Sequence, residues 1–269
     1  MPHSITYLPD GTRIDIGSGR YDYPLSIDLK ITNYCPRSCP WCHESSGPNG
    51  NHARADEILS HLGGLPEGTE IALGGGDPLS HPDLEKIISG LRSFGYSVCM
   101  TVRDKDFDRP RPGGLKAVGV SLTPGHPIPS PKHEYDVAHM IVGINSIQDY
   151  REAKRIWPRI LWLGFKDWGR NKGSKLPDIS ELRQEIVNDL YTSSPCTLAF
   201  DNLAISQLDL KSAFLKKEWD RFYLGQEFTC SMYVDSVLGH WSGSSTDKER
   251  VDWNKLNLID YFRKYAKDN

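Results

Sequence analysis

Short apolar stretches recur along the chain, and helical periodicity fills several of the gaps between them. Six apolar stretches predict strands, at residues 25–32, 70–75, 97–102, 117–123, 139–145 and 159–165. Apolar residues at helical spacing predict helices over residues 55–62, 83–94 and 147–156. Because this alternation is typical of right-handed crossovers and a parallel sheet, we predict an α/β fold, a partial (β/α)6 TIM-like barrel.

The two ends of the chain depart from this alternation. The stretch SITYLPDGTRIDI predicts a short N-terminal hairpin, because Pro9, Asp10 and Gly11 supply turn residues between two alternating segments. After residue 170 the pattern loosens. It predicts helices over 177–191, 210–222 and 251–267, a strand within 196–205, and a loop at the Ser- and Gly-rich end of 230–245.

These elements predict one domain that covers the whole chain. Its parts are expected to be the hairpin in residues 1–22, the barrel core in 23–170, and a C-terminal α/β extension in 171–269 that closes the barrel.

Composition and charge narrow the class of protein. The 269 residues are 38% hydrophobic and 25% charged, as in an ordinary globular protein. A net charge of −3 argues against nonspecific electrostatic binding of nucleic acid by the whole surface, although a local basic channel is compatible with it. Since no apolar run has membrane-spanning length and the first residues lack the build of a signal peptide, we expect a cytoplasmic protein with no membrane partner.

Three of the six cysteines lie together in the stretch NYCPRSCPWCHESSG. Cys35, Cys39 and Cys42 have CxxxCxxC spacing on a loop after the first strand of the predicted barrel. Converging thiolates suit zinc or an iron–sulfur cluster. A structural zinc ion takes four ligands, and His43 is badly placed to join its neighbour Cys42 on one ion. The incomplete set favours a four-iron cluster with one open iron; a zinc site or buried thiols are the alternatives.

The triplet, with the aromatic Trp41 before its last cysteine, resembles the radical S-adenosylmethionine (SAM) superfamily. The resemblance covers roughly residues 25–170. It implies a 4Fe-4S cluster on Cys35, Cys39 and Cys42, with SAM on the open iron and Trp41 beside the cofactor. It also implies reductive cleavage of SAM to a 5′-deoxyadenosyl radical that removes hydrogen from a substrate carbon. A low-potential electron donor such as flavodoxin is then an expected partner.

A glycine run, LGGGDPLSHP, closes the second predicted strand. Gly74, Gly75 and Gly76 allow a sharp turn and close approach of the backbone to a ligand. In the superfamily such a stretch usually ends in Glu and holds the SAM amino group, and Asp77 stands at that place here. Because Asp is shorter than Glu, the contact is expected chiefly from the carbonyls of Gly74–Gly76. An ordinary β–α turn is the alternative.

Polar residues at the ends of later strands are further candidates, because a barrel gathers its active-site loops at that end. Ser121, Thr123 and Asn145 carry groups suited to the SAM ribose, and Lys166 is suited to the methionine carboxylate. Lys166 and Arg170 are also the candidate catalytic residues, since both lie in a basic, Gly-rich stretch that suits an anionic substrate. Turn-forming or solvated roles are the alternatives for each residue.

The compact length, the GGGDP variant, and the segments LGFKDWGR and SMYVDSVLGHWSGSS resemble small radical SAM proteins encoded by bacteriophages. That resemblance implies DNA hypermodification by an isomerase of the Cα-glycyl-thymidine synthase type, which moves a glycyl attachment on thymine from nitrogen to carbon in the host cytoplasm. The substrate would be a modified nucleobase in DNA or a nucleotide. Alternatives are a glycyl-radical-enzyme activase, a peptide-modifying enzyme, a deazapurine-type mutase, or a non-catalytic metal-binding module.

Overall fold

The fold is an open parallel sheet with helices on its outer face. A computed structural model describes residues 21–192, 194, 196–223 and 225–267, together with the backbone of 4–7 and 13–16. In this part of the chain the strands are β1 Ser4–Tyr7, β2 Arg13–Ile16, β3 Ser26–Thr32, β4 Glu70–Gly75, β5 Ser97–Arg103, β6 Ala117–Ser121, β7 Val137–Ile141, β8 Arg159–Leu163, β9 Thr197–Phe200, β10 Ser231–Asp235, β11 His240–Ser242 and β12 Val251–Asp252. The α-helices are α1 Ala55–Leu62, α2 Leu84–Ser93, α3 Ile147–Ile156, α4 Ser180–Tyr191, α5 Asn202–Gln207, α6 Lys216–Phe222 and α7 Leu258–Tyr265.

Ten of these strands form one sheet, in the order β12-β11-β10-β3-β4-β5-β6-β7-β8-β9. Every pair from β10 to β9 is parallel, whereas β11 and β12 are antiparallel additions. The strands β12 and β9 are the edges, so strand pairing does not close the sheet within the described residues. The predicted α/β class and partial barrel are confirmed, but closure by the C-terminal extension is not achieved through the sheet.

Each central strand divides its side chains between two faces. On β3, Ile27, Leu29 and Ile31 are at most 1% exposed and pack in the hydrophobic core beneath the helices. Asp28 and Lys30 alternate with them and lie on the other, inner face. Buried apolar residues of α1 and α2 cover the outer face of the sheet. The inner face is therefore the side on which polar groups meet.

The sheet curves so that distant strands face one another across this inner surface. In a flat sheet the six strand spacings of about 4.8 Å from β3 to β9 would separate these strands by about 29 Å. Instead, Arg170 on the loop after β8 donates to the carbonyl of Cys39, on the loop after β3, at 2.9 Å. The inner face is thus the concave wall of a partial barrel.

Several boundaries differ from the sequence prediction. The predicted strand 139–145 is β7, which ends at Ile141 because Gly143 turns at φ +72° and the Asn145 side chain accepts a hydrogen bond from the Ile141 N–H. The predicted strand 117–123 ends at Ser121. The predicted helix 210–222 is a 3-10 turn followed by α6, and the predicted helix 251–267 is β12 followed by α7.

The segment 230–245 holds two strands, β10 and β11, and the sequence prediction of a loop at its end was wrong for β11. At the other end of the chain β1 and β2 pair antiparallel, as the hairpin prediction requires, while its turn residues Pro9, Asp10 and Gly11 lie outside the described residues. Among the described helices none has the length and apolar character needed to cross a membrane.

Candidate functional site

The three clustered cysteines lie on the loop that follows β3. Their thiols are partly exposed and none forms a disulfide. Burial raises the pKa of the Cys35 thiol, and the nearby Asp77, Cys39 and Cys42 raise it further. The three thiols are therefore close enough to interact electrostatically. No group of three or more His, Cys, Asp and Glu side chains among the described residues is arranged to hold a single metal ion.

Arg170 holds this cysteine loop from the far side of the barrel. Its backbone N–H donates to the Cys42 carbonyl at 3.1 Å, and its guanidinium donates to the carbonyls of Cys39 at 2.9 Å and Ser46 at 2.8 Å. Gly169 comes so near that a Cβ atom there would lie 2.4 Å from the His43 carbonyl oxygen. Arg170, which was predicted to be catalytic, thus forms hydrogen bonds to backbone carbonyls of the cysteine loop.

A second contact network ties the same loop to the sheet. Glu44, two residues after Cys42, accepts hydrogen bonds from Lys30 Nζ at 2.6 Å and from the Tyr233 hydroxyl at 2.8 Å. Lys30 also pairs with Asp235 at 3.1 Å, and Lys30 and Asp235 are 5% and 1% exposed. This buried network joins the cysteine loop to β3 and β10. The sequence analysis did not identify any of these residues as a network. β10 is far from β3 in the sequence, and no local sequence pattern shows that the two strands pair.

The glycine run lies next to the start of the cysteine loop. The Gly76 N–H donates to the Thr32 carbonyl at 2.8 Å. Gly75 has φ +113°, and an added Cβ would lie 2.3 Å from the Thr32 carbonyl oxygen. An added Cβ at Gly76 would lie 2.1 Å from the Tyr34 carbonyl oxygen, whereas at Gly74 it would meet open space. A side chain at Gly75 or Gly76 would therefore collide with β3 or its loop, whereas a side chain at Gly74 would meet open space.

The Asp77 carboxylate is engaged within the protein. It accepts hydrogen bonds from the Ser80 hydroxyl at 2.5 Å and from Arg109 at 2.8 Å, and it is 7% exposed. The Asp77 carboxylate is therefore already engaged within the protein, and the expected contact of the Gly74–Gly76 carbonyls with SAM stays a prediction.

Arg103, at the end of β5, is a candidate that sequence reasoning missed. Its guanidinium carbon lies 5.7 Å from the centre of the Trp41 ring, and its Nη2 donates to the Thr123 hydroxyl at 2.5 Å. Its Nε is buried and has no hydrogen-bond partner among the described residues. A cation at the end of a strand would have pointed to Arg103, but the predicted strand ended at residue 102 and so left Arg103 out.

The other strand-end candidates have differing surroundings. Thr123 is buried and donates its hydroxyl to Asp104 at 2.7 Å. Asn145 is buried, and its side chain bonds the backbone of Ile141 and Leu122. Ser121 ends β6 and is partly exposed. Of these three, Ser121 is the one whose hydroxyl forms no hydrogen bond with another described residue, and its role toward SAM stays a prediction.

Lys166 reaches into the inner face of the sheet. Its Nζ donates to the Ser245 hydroxyl at 2.9 Å. Burial raises the pKa of Asp28 and of Asp201, while the positive charge of Lys166 lowers both. On the same face burial lowers the pKa of His139 to about 4. The predicted catalytic residue Lys166 thus belongs to a group of charged side chains within the barrel, apart from the contacts of Arg170.

Comparison with known proteins agrees with this geometry. Residues 29–157 match the family model described as the Radical SAM superfamily. The superfamily uses a 4Fe-4S cluster and SAM. A search of curated protein sequences finds no match.

Three solved structures of Streptococcus suis SuiB are similar to the chain. Each has 14% sequence identity, and each match covers 90% of this chain. They are SuiB bound to S-adenosylmethionine (TM-score 0.62, 66% of SuiB covered), SuiB bound to precursor peptide SuiA (0.64, 65%) and SuiB (0.59, 66%). At this identity the likeness extends to the fold alone. The chain spans slightly less than two thirds of the SuiB chains.

Proposed function

From the premise that residues 29–157 form a radical SAM domain, we propose that this protein is an enzyme that reductively cleaves SAM and abstracts hydrogen from a substrate carbon. The observation that carries the proposal is the loop of Cys35, Cys39 and Cys42. Its thiols interact electrostatically, and it lies beside the glycine run, where Gly74 adjoins open space. Three thiols without a fourth suit a cluster that keeps one iron for SAM.

The surrounding residues fit these groups. Cys35, Cys39 and Cys42 would hold the cluster, and the backbone of Gly74 would approach SAM. When bound, the reduced cluster would supply the electron that cleaves SAM. The chain's own part is to fix the loop through Arg170 and Glu44 and to offer Arg103 as a cation next to Trp41.

Within this activity, we keep as the finer proposal an isomerisation of an amino-acid-modified thymine, with flavodoxin as electron donor. Charged groups of both signs on the inner face support a polar substrate of this kind, among them Lys166 and Asp28. The fold likeness to SuiB, which has been solved with a precursor peptide, favours a peptide substrate as the second candidate.

The test is anaerobic reconstitution of the full chain with iron and sulfide, followed by incubation with SAM and dithionite. We expect a brown protein that forms 5′-deoxyadenosine, and loss of both properties in Cys39→Ala. Cys99→Ala is the matched control, because Cys99 lies on β5 away from the cysteine loop. Equal iron content and equal 5′-deoxyadenosine in Cys39→Ala and the wild type would contradict the proposal.

Candidate substrates are then added to the active enzyme. Thymidine carrying a glycyl group and short peptides represent the two classes. Mass spectrometry of the product, with deuterium transfer into 5′-deoxyadenosine from a labelled substrate, identifies the class. A product from the peptides alone would overturn the thymine assignment and leave the radical SAM activity standing.

A further inference from the structure

The imidazole ring of His139, on β7, lies against the concave wall over the neighbouring strand β6. A Cβ atom added to Gly119 of β6 would lie 2.3 Å from the His139 Cε1 atom and 2.4 Å from its Nε2 atom. Gly119 alternates with Val118 and Val120, which are buried in the core, so a side chain at Gly119 would point to the inner face. The His139 ring therefore occupies the inner face, in the place that this side chain would take.

The His139 ring and a hydroxyl on the other side of Gly119 are available to a ligand. The ring nitrogens of His139 and the hydroxyl of Thr101 form no hydrogen bond or ion pair with another described residue. Thr101, on β5, is the register neighbour of Gly119. Both side chains are partly exposed. Two unused hydrogen-bonding groups thus flank Gly119 on the concave wall.

The wall beside these groups is open and uncharged. Ala72 of β4, and Ala117 and Gly119 of β6, are partly exposed although they lie on the inner face, so solvent reaches this part of the wall. Their small size leaves room in front of His139. Burial lowers the pKa of His139 to about 4, so its ring is neutral near pH 7.

This part of the wall adjoins the cysteine loop through Arg103. Thr101 and Arg103 share the inner face of β5, and two residues along a strand span about 7 Å. The Arg103 guanidinium carbon lies 5.7 Å from the centre of the Trp41 ring. A group bound at Thr101 would therefore lie next to the cation that faces the cysteine loop, where the proposed chemistry takes place.

We propose that His139 and Thr101 form the binding site for the imide edge of a pyrimidine base of the substrate. A neutral imidazole offers one donor and one acceptor, and a hydroxyl can donate or accept. The imide edge of thymine presents a carbonyl acceptor, an N–H donor and a second carbonyl acceptor, and it is uncharged like this part of the wall. The inference rests on the proposed function and deepens it, because it names the residues that would recognise the base.

The test is a saturation-transfer NMR titration of thymidine into the reconstituted full-length protein with SAM. The comparison probes are 3-methylthymidine, which lacks the imide N–H, and N-acetylglycinamide, which presents a peptide-type amide. We expect thymidine to bind more tightly than both. His139→Leu should weaken thymidine binding at least tenfold, whereas His139→Gln, which keeps a neutral donor and acceptor, should retain most of the affinity.

Gly119→Ala tests the geometry without changing the chemistry of His139, because the added Cβ takes the place of the ring. It should weaken thymidine binding as His139→Leu does. Thr101→Val, which removes only the hydroxyl, should also weaken it and serves if Gly119→Ala does not fold; thermal unfolding checks each variant. The matched control is His133→Leu, at an exposed histidine before β7, which should bind thymidine as the wild type does.

Four results would overturn the site: no binding of thymidine to the wild type, equal thymidine affinity in His139→Leu, equal affinity of the wild type for thymidine and 3-methylthymidine, or tighter binding of N-acetylglycinamide than of thymidine. The last result would assign this part of the wall to a peptide. The same samples report iron content and 5′-deoxyadenosine formation. If SAM is cleaved and thymidine does not bind, only this inference fails; if the wild type neither assembles a cluster nor cleaves SAM, the proposed function fails.

Discussion

Gly74 and Gly75 are neighbours in sequence, but a side chain would meet different surroundings at each. At Gly75 it would strike the Thr32 carbonyl of β3, in a backbone conformation with φ +113° that disfavours side chains. At Gly74 it would point into open space. The glycine run therefore combines a packing requirement at Gly75 with an open position at Gly74, and substitutions can separate the two.

We predict that Gly75→Ala lowers the free energy of unfolding by about 1–3 kcal/mol, the cost of a strained backbone residue. Gly74→Ala should unfold like the wild type and bind SAM more weakly. Urea unfolding and calorimetric SAM titration measure the two effects. A Gly75→Ala protein of unchanged stability, or a Gly74→Ala protein of unchanged SAM affinity, would contradict this division.

Arg170 is predicted to position the cysteine loop. Arg170→Met removes the guanidinium donors to Cys39 and Ser46, and charged hydrogen bonds of this kind are worth about 1.5–3 kcal/mol before solvent exposure reduces them. We expect faster loss of iron to a chelator from the reconstituted protein. Lys172→Met, an exposed cation two residues along, is the control. Equal iron release from both variants would refute the role.

At the scale of elements, β10 is the strand that supports the cysteine loop. It pairs with β3 and brings Asp235 to Lys30 and the Tyr233 hydroxyl to Glu44, which Lys30 also contacts. Lys30 is 5% exposed, so its positive charge is buried together with the carboxylates of Glu44 and Asp235 that it neutralises.

We predict that Lys30→Met destabilises the fold by about 3–5 kcal/mol, because it leaves Glu44 and Asp235 without their buried partner. The surface pair Lys86 and Asp56 supplies the control: because solvent screens exposed charges, Lys86→Met should lower the free energy of unfolding far less than Lys30→Met does. Denaturant unfolding compares the two variants. Similar losses in both would show that the buried network does not hold the loop.

At the scale of the whole molecule, ion pairs hold neighbouring helices together and make stability depend on pH. Glu185 on α4 accepts hydrogen bonds from Arg151 at 2.7 Å and Lys154 at 3.0 Å on α3. Although burial raises the pKa of Glu185, these two cations lower it below its ordinary value of 4.5. A lowered pKa means that the contribution to stability is present above pH 4.5 and is lost as the pH falls through the folded value.

We therefore predict that the wild type loses stability below about pH 4.5 and that Glu185→Gln loses less over the same range. Glu181→Gln, on the same helix and 76% exposed, should follow the wild type. Urea unfolding at a series of pH values gives the slopes. Parallel curves for the wild type and Glu185→Gln would disprove the link.

The sequence by itself determined what depends on near neighbours. Apolar and helical patterns identified β4, α1 and α3 at their observed bounds. Each of these elements is about ten residues long or shorter, so its pattern depends on near neighbours in the sequence. The CxxxCxxC spacing likewise placed three thiols on one loop after β3, and a family resemblance followed from it. The C-terminal ends of some strands were predicted wrongly. The apolar pattern continues past Ile141, but the Asn145 side chain accepts the Ile141 N–H and ends β7 there.

Only the tertiary structure decided which distant residues meet. Arg170 contacts Cys39 across 131 positions, and Lys30 meets Asp235 across 205. Such contacts depend on the curvature of the sheet and on the placement of β10 beside β3, and no short stretch of sequence carries either.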